Sequence, residues 1–170
     1  MIDLNAAPKF YHGYLGQIQN GTALQNLMES GDELSDLVSS IPEEKGIFAY
    51  ADGKWTIKEV LQHLNDAERI FCYRALRFAR NDQTELSGFD QDAYVPESRA
   101  NDRKLASILN EFHILRAATI DLFANFDQVQ MKRTGKTSGG EFSVEAIGYI
   151  ISGHCLHHLH ILEERYLNAN

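Results

Sequence analysis

Cysteine is scarce in this chain. Cys72 and Cys155 are the only two in 170 residues, and no CxxC pair occurs. Both fall inside helical patterns, which suits a reducing compartment and buried thiols rather than a disulfide framework. Long apolar runs are missing too. No segment approaches the ~20 consecutive apolar residues of a membrane span, and the start, Met1-Ile-Asp-Leu-Asn-Ala-Ala-Pro8, has neither the basic residues nor the apolar stretch of a secretion signal. The expectation is a soluble cytoplasmic protein with no membrane partner. Basic residues are the third shortage: 16 Lys and Arg stand against 24 Asp and Glu, giving a net charge of -8 and a pI near 5.3. Nucleic-acid affinity comes mostly from clustered Lys and Arg, so no nucleic-acid partner is expected. Arg69, Arg74, Arg77 and Arg80 recur at helical spacing among acids and aromatics, as on a solvated or paired helix face.

What is present is globular composition, 44% hydrophobic and 24% charged. The length suits one domain, taken as residues 1–170 with an N-terminal arm over 1–20. Apolar residues recur at spacings of three and four in four segments and almost nowhere alternate, so the fold class reads as all-α. The first predicted helix runs from about Thr22 to Ser40, stopped by Pro42. The second opens on Thr56-Ile-Lys-Glu59, a capping box, and runs to about Arg80. The third covers Asn101 to Phe126. After the Gly-rich Thr137-Ser-Gly-Gly140, Ser143 caps a fourth that ends near Leu167.

Residues Asn81 to Ala100 are polar, hold Gly88 and Pro96, and have no helical period. Helices of some 20 to 25 residues span roughly 30 to 37 Å, a distance that about 20 extended residues can cross. The architecture expected is therefore a four-helix bundle with a long crossover between helices 2 and 3, which lets those two run parallel.

Four of the seven histidines lie in one window, His154-Cys-Leu-His157-His158-Leu-His160. At about 100° per residue, Val144, Ile147, Ile151, Cys155 and Leu162 share a face with His154 and His158, while His157 turns to its boundary and His160 points away. His154 and His158 are an i, i+4 pair, able to share one metal ion; two hydrogen-bonded core histidines would show the same spacing. His63 lies inside the apolar face of the second helix, set by Val60, Leu64, Ala67, Ile70, Phe71 and Phe78. Three inward rings from two helices can supply a three-histidine site with open positions left for water or substrate. His113 and His12 read as ordinary structural residues.

The run Lys54-Trp-Thr-Ile-Lys-Glu-Val-Leu-Gln-His63-Leu-Asn-Asp-Ala-Glu-Arg-Ile-Phe71, then Arg74 to Arg80, Gly88-Phe-Asp-Gln-Asp-Ala-Tyr94 and Gly153 to Leu167, resembles the DinB-like superfamily over nearly the whole chain. The resemblance implies a bundle with a crossover and a divalent metal held by His63, His154 and His158. Family members often carry an acid after the first histidine of the last-helix motif, where this chain has Cys155. Relatives include enzymes that use low-molecular-weight thiols, and many are homodimers. Activity does not follow from membership alone.

The leading expectation is a metal-dependent enzyme acting on a small molecule, whose ion lowers the pKa of a bound water or thiol for hydrolysis or S-transfer. Zinc or nickel is expected, and iron or manganese also suits imidazole ligands. Asp66 is a candidate general base, or an orienting partner for His63. Arg74, Arg116 and Arg165 interrupt apolar stripes, and Arg116 is the candidate for holding an anionic substrate group; an internal ion pair would explain each as well. Trp55 and Tyr94 are candidates for lining a pocket. The competing class is a non-catalytic metal-binding or interaction module, in which a closed ion site only adds folding energy.

Overall fold

The computed structural model describes residues 6–168. Its elements in chain order are α1 (His12–Leu15), α2 (Ala23–Ser39), α3 (Ile57–Ala79), α4 (Gln91–Glu97), α5 (Leu105–Ala124), α6 (Gln128–Lys132), β1 (Thr134–Thr137), β2 (Gly140–Ser143) and α7 (Val144–Ile161). The four long ones are the expected bundle. Three of them start at a capping residue that satisfies free N–H groups of the first turn, and at the start of α5 the Glu43 carboxylate accepts from Leu105 N. Thr22 with Gln25 and Thr56 with Glu59 form capping boxes on α2 and α3, and the Ser143 hydroxyl accepts from Ala146 N at 3.0 Å on α7. Beyond Ile161 the chain continues to Leu167 in wider, π-type turns.

Side-chain pairing sets the direction of each helix. Asn65 Nδ2 donates to Ile108 O, Glu68 pairs with Arg116, and Cys72 meets Thr119, so α3 and α5 run parallel. Cys155 bonds Ser30 O while Gly148 lies against Ala23, so α2 and α7 also run parallel. His63 faces His154 and His158, whereas Phe71, two turns on, faces only His154, which makes α3 and α7 antiparallel. Parallel α3 and α5 require the crossover that the sequence led us to expect.

The crossover is more structured than its composition suggests. The Asp90 carboxylate caps α4, which contains Pro96, and Leu86 bridges Thr137 of β1 in parallel fashion. Asn81 and Arg99 bracket it in left-handed backbone, at φ 59° and 51°. The Gly-rich stretch is the turn of a hairpin, with Thr134 opposite Ser143 and Thr137 opposite Gly140. Two four-residue strands are too short to give an alternating pattern, so an all-α reading passes over them. Gly135 lies on the Phe78 ring, where a Cβ has no room.

The core divides into two clusters. One gathers Leu27, Ala67, Phe71, Phe78, Phe123, Ile147 and Ile150. The other gathers Leu34, Leu61, Leu64, Ile108, Phe112, Leu159 and Leu162. The inward histidines fall at the seam: Ile151 and Cys155, on either side of His154 in sequence, belong to different clusters, as do Leu64 and Ala67 just after His63. Of the N-terminal arm, residues 1–5 lie outside the described part. The rest packs α1 onto α7 so tightly that a Cβ on Gly153 would enter the Tyr14 backbone.

Candidate metal centre

His63 comes from the middle of α3, and His154 and His158 from adjacent turns of α7. His63 Nε2 stands 3.0 Å from His154 Nε2, and His158 Nε2 stands 3.1 Å from the same atom. All three offer ligand nitrogens within 4.8 Å of one another, and this is the one such group among the described residues. The ring centroids are 4.7 to 5.0 Å apart. His160 is exposed and His157 half-buried, as the helical wheel indicated.

A neutral imidazole has one donor and one acceptor nitrogen. Two Nε2 atoms face His154 Nε2, so one proton or one lone pair must serve both contacts, or like groups must oppose each other. An ion receiving three lone pairs resolves that conflict. Nitrogens bound at 2.0–2.1 Å in tetrahedral directions would stand about 3.3 Å apart, within a few tenths of the observed spacings. The donor set therefore fits a divalent metal. Burial also keeps the rings unprotonated. Desolvation lowers His63 to about 4 and His158 to about 3, and holds His154 well below its ordinary value. His158 Nδ1 is buried without a hydrogen-bond partner among the described residues.

Two cavities meet the triad. One, of about 340 Å³, reaches His63 and His154 and is walled by Phe10, Tyr11, Tyr14, Ala67, Phe71 and Phe89, with Asp90 and Gln91 beside them. The other, of about 240 Å³, reaches His158 past Tyr50, Lys54, Trp55, Asp92 and Tyr166. Trp55 stacks tilted on His63 at 4.9 Å, and Tyr14 sits edge-on to His154 at 5.1 Å and His157 at 5.3 Å. The sequence pointed to Trp55 as pocket-lining. The roles of Tyr14, Phe10 and Phe89 had no signal beyond aromatic character in an arm and a loop.

The other candidates lie elsewhere. Asp66 accepts from Gln62 Nε2 at 3.0 Å and faces a separate depression with Arg69, Tyr94 and Glu97. Arg116 is buried, but its guanidinium is spent on protein: Nε and Nη2 donate to the Glu68 carboxylate at 2.9 and 2.8 Å, and Nη1 donates to Leu27 O and Ser30 Oγ. Glu68 also accepts from Thr119 Oγ1 at 2.7 Å. The internal ion pair is thus the geometry found for Arg116. Arg74 donates to Ser87 O, and Arg165 is exposed beside Tyr50, off the apolar stripe assigned to it. The wider turns after Ile161 displace Arg165 from where a regular helix would put it. His113 meets Ser35 Oγ at 2.8 Å, and His12 meets Ala7 O at 3.2 Å, both ordinary structural contacts.

Bundle, crossover and buried three-histidine cluster together define a class of protein. The chain belongs to the DinB superfamily, whose sequence model matches residues 26–162. No curated protein matches it by sequence. Among solved structures it is similar to YfiT from Bacillus subtilis, a probable metal-dependent hydrolase with an unusual four-helix bundle topology. The TM-score is 0.73 at 20% identity, over 84% of this chain and 82% of that one. It is also similar to a mycothiol-dependent maleylpyruvate isomerase, with a TM-score of 0.70 at 12% identity. That match covers 86% of this chain and 60% of the isomerase, and the likeness is one of fold. No helix among the described residues is long and apolar enough to cross a membrane.

Proposed function

We propose that His63, His154 and His158 hold one divalent cation, and that this chain is a metal-dependent enzyme acting on a small molecule. The observation that carries the proposal is the convergence of three desolvated, neutral imidazoles, two of which, His63 and His154, line a cavity of substrate size. A divalent ion there would supply Lewis acidity and a lowered pKa for a bound water or thiol, which suits hydrolysis or S-transfer. A closed structural site would have four protein ligands, whereas three histidines leave a coordination position free.

The chain's own residues supply the remaining conditions. Tyr14 and Trp55 pack on His154 and His63 and fix the ring planes. The aromatic walls give the histidines an apolar surrounding on this side. Asp66 and Arg116 are given no chemical step, because neither lines this cavity among the described residues. Zinc or nickel, a low-molecular-weight thiol as cosubstrate, a single domain over the whole chain and a homodimeric state complete the proposal.

Elemental mass spectrometry on untagged protein tests it. Near-stoichiometric metal is expected in the wild type and in His160→Ala, and loss of at least tenfold in affinity in His63→Ala, His154→Ala and His158→Ala. Metal-free wild type after reloading, or retention by the triad variants, overturns the assignment.

A further inference from the structure

Among the described residues two arginines are almost fully buried, and they differ in what answers their charge. Arg116 has the Glu68 carboxylate. Arg74, 3% exposed, has no carboxylate partner among the described residues; its Nη2 donates to Ser87 O at 3.1 Å, and no second acceptor meets it there. A guanidinium carries five N–H groups. The buried side-chain atoms that are both sealed and unpartnered among the described residues are Asn65 Oδ1 and His158 Nδ1, so the unpaired nitrogens of Arg74 open on a gap and are not closed off by packing. A buried charge without a counter-ion is costly, and a guanidinium is shaped to take a carboxylate or phosphate.

Arg74 lies on the same face of α3 as His63. Eleven residues on at about 100° each, it comes round to within roughly 20° of His63, about 16 Å along the axis. Ala67 and Phe71 fill the turns between, and both wall the cavity that reaches His63 and His154. Side chains on a helix lean toward its N-terminus, here toward His63. The guanidinium does so, with its carbon over the Phe71 ring at 5.7 Å from the centroid. Ser87, which holds it, is two residues from Phe89, another wall of the cavity, and the covering Ser87 and Gly88 are themselves exposed. Positive charge thus flanks an aromatic middle: three neutral histidines leave a divalent ion uncompensated on one side, and Arg74 lies behind Phe71 on the other. Asp90, at the rim, is exposed and spent on the first N–H groups of α4.

We propose that Arg74 is the anion-binding residue of this site: the substrate carries a carboxylate or phosphate at the end away from its reacting atoms, and that group meets the unpaired N–H groups of Arg74 while the body lies along Phe71 and Phe89. This rests on the reading of the triad as the reactive centre. It adds the class of substrate, an elongated molecule whose anionic group stands roughly 10 to 15 Å from the ion.

Four probes on one aromatic frame separate charge from shape: 4-phenylbutanoate, 3-phenylpropyl phosphate, the neutral 4-phenylbutanamide and the cation 4-phenylbutylammonium. Each is titrated by NMR into chelator-treated full-length protein, so that no ion competes for the anion, at about 0.15 M salt. At least one of the two anions is expected to bind about tenfold or more tighter than the amide, and which one does so identifies the group. The Nε–H resonance of Arg74 should shift with that anion and not with the amide, a readout that needs no variant. In Arg74→Gln the preference falls below about twofold, whereas Arg74→Lys keeps part of it, because an ammonium retains the charge but not the fork. Thermal unfolding verifies that both variants fold. Equal binding of the amide, preference for the cation, no binding of either anion at about 10 mM, or an anion preference that survives Arg74→Gln overturns the inference and leaves Arg74 as a tie between α3 and the crossover. Elemental analysis decides the triad separately. Bound metal without an anion preference fails this inference alone, and an anion preference without bound metal fails the triad reading alone.

Discussion

The two thiols show how burial sets residue chemistry in this chain. Desolvation raises Cys72 to about 11, against a weaker opposing effect of its hydrogen bond with Thr119, and raises Cys155 to about 11 as well. Both groups favour the protonated form when folded, so their contribution to stability is complete below the unfolded value near 9 and is lost as pH rises toward 11. A thiol raised this far carries roughly a hundredfold less thiolate at about pH 8 than its unfolded counterpart. Native protein is therefore expected to react with iodoacetamide at least about fiftyfold more slowly than urea-unfolded protein, read by mass spectrometry. Similar rates would show that these thiols are not shielded. Cys155 accordingly acts as a packed apolar group whose Sγ donates to Ser30 O at 3.3 Å.

Between elements, the Glu68–Arg116 pair ties α3 to α5 and, through Leu27 O and Ser30 Oγ, to α2. Removing one partner strands a buried charge. Arg116→Leu is expected to cost about 3–5 kcal/mol in urea unfolding while metal content stays near stoichiometric, and Glu68→Leu in the same chain should recover much of the loss. Loss of metal with unchanged stability would give Arg116 a place in the site instead. This pair also marks what the sequence could reveal. A buried guanidinium needs acceptors, so an internal ion pair was one of the readings open for Arg116, but the choice of Glu68 depends on α3 and α5 running parallel in one particular register. The triad was legible because helical spacing alone puts His63, His154 and His158 inward. The cavity walls were not: Phe10, Tyr14 and Phe89 lie in segments without periodicity, and only tertiary contact brings them to the histidines. Short strands such as β1 and β2 escaped for the same reason, being fixed by Leu86 and Phe78 from elsewhere in the chain.

For the whole molecule, the histidine seam lies between two apolar clusters that are each continuous without it. The bundle should therefore fold without metal, unlike small domains whose core is the ion. Chelator-treated protein is expected to keep its far-ultraviolet helical spectrum and lose only the stabilisation that binding adds, about 4 kcal/mol when free metal is a thousandfold above Kd. A collapse of helicity on chelation would instead make the ion a structural element, as the non-catalytic alternative holds. The same distinction can be read at the ion itself. X-ray absorption on cobalt- or zinc-loaded protein should find three imidazole nitrogens at about 2.0–2.1 Å and at least one exchangeable oxygen that an added thiol replaces. A closed shell of four protein ligands, or fewer than three imidazoles, would contradict an open three-histidine centre.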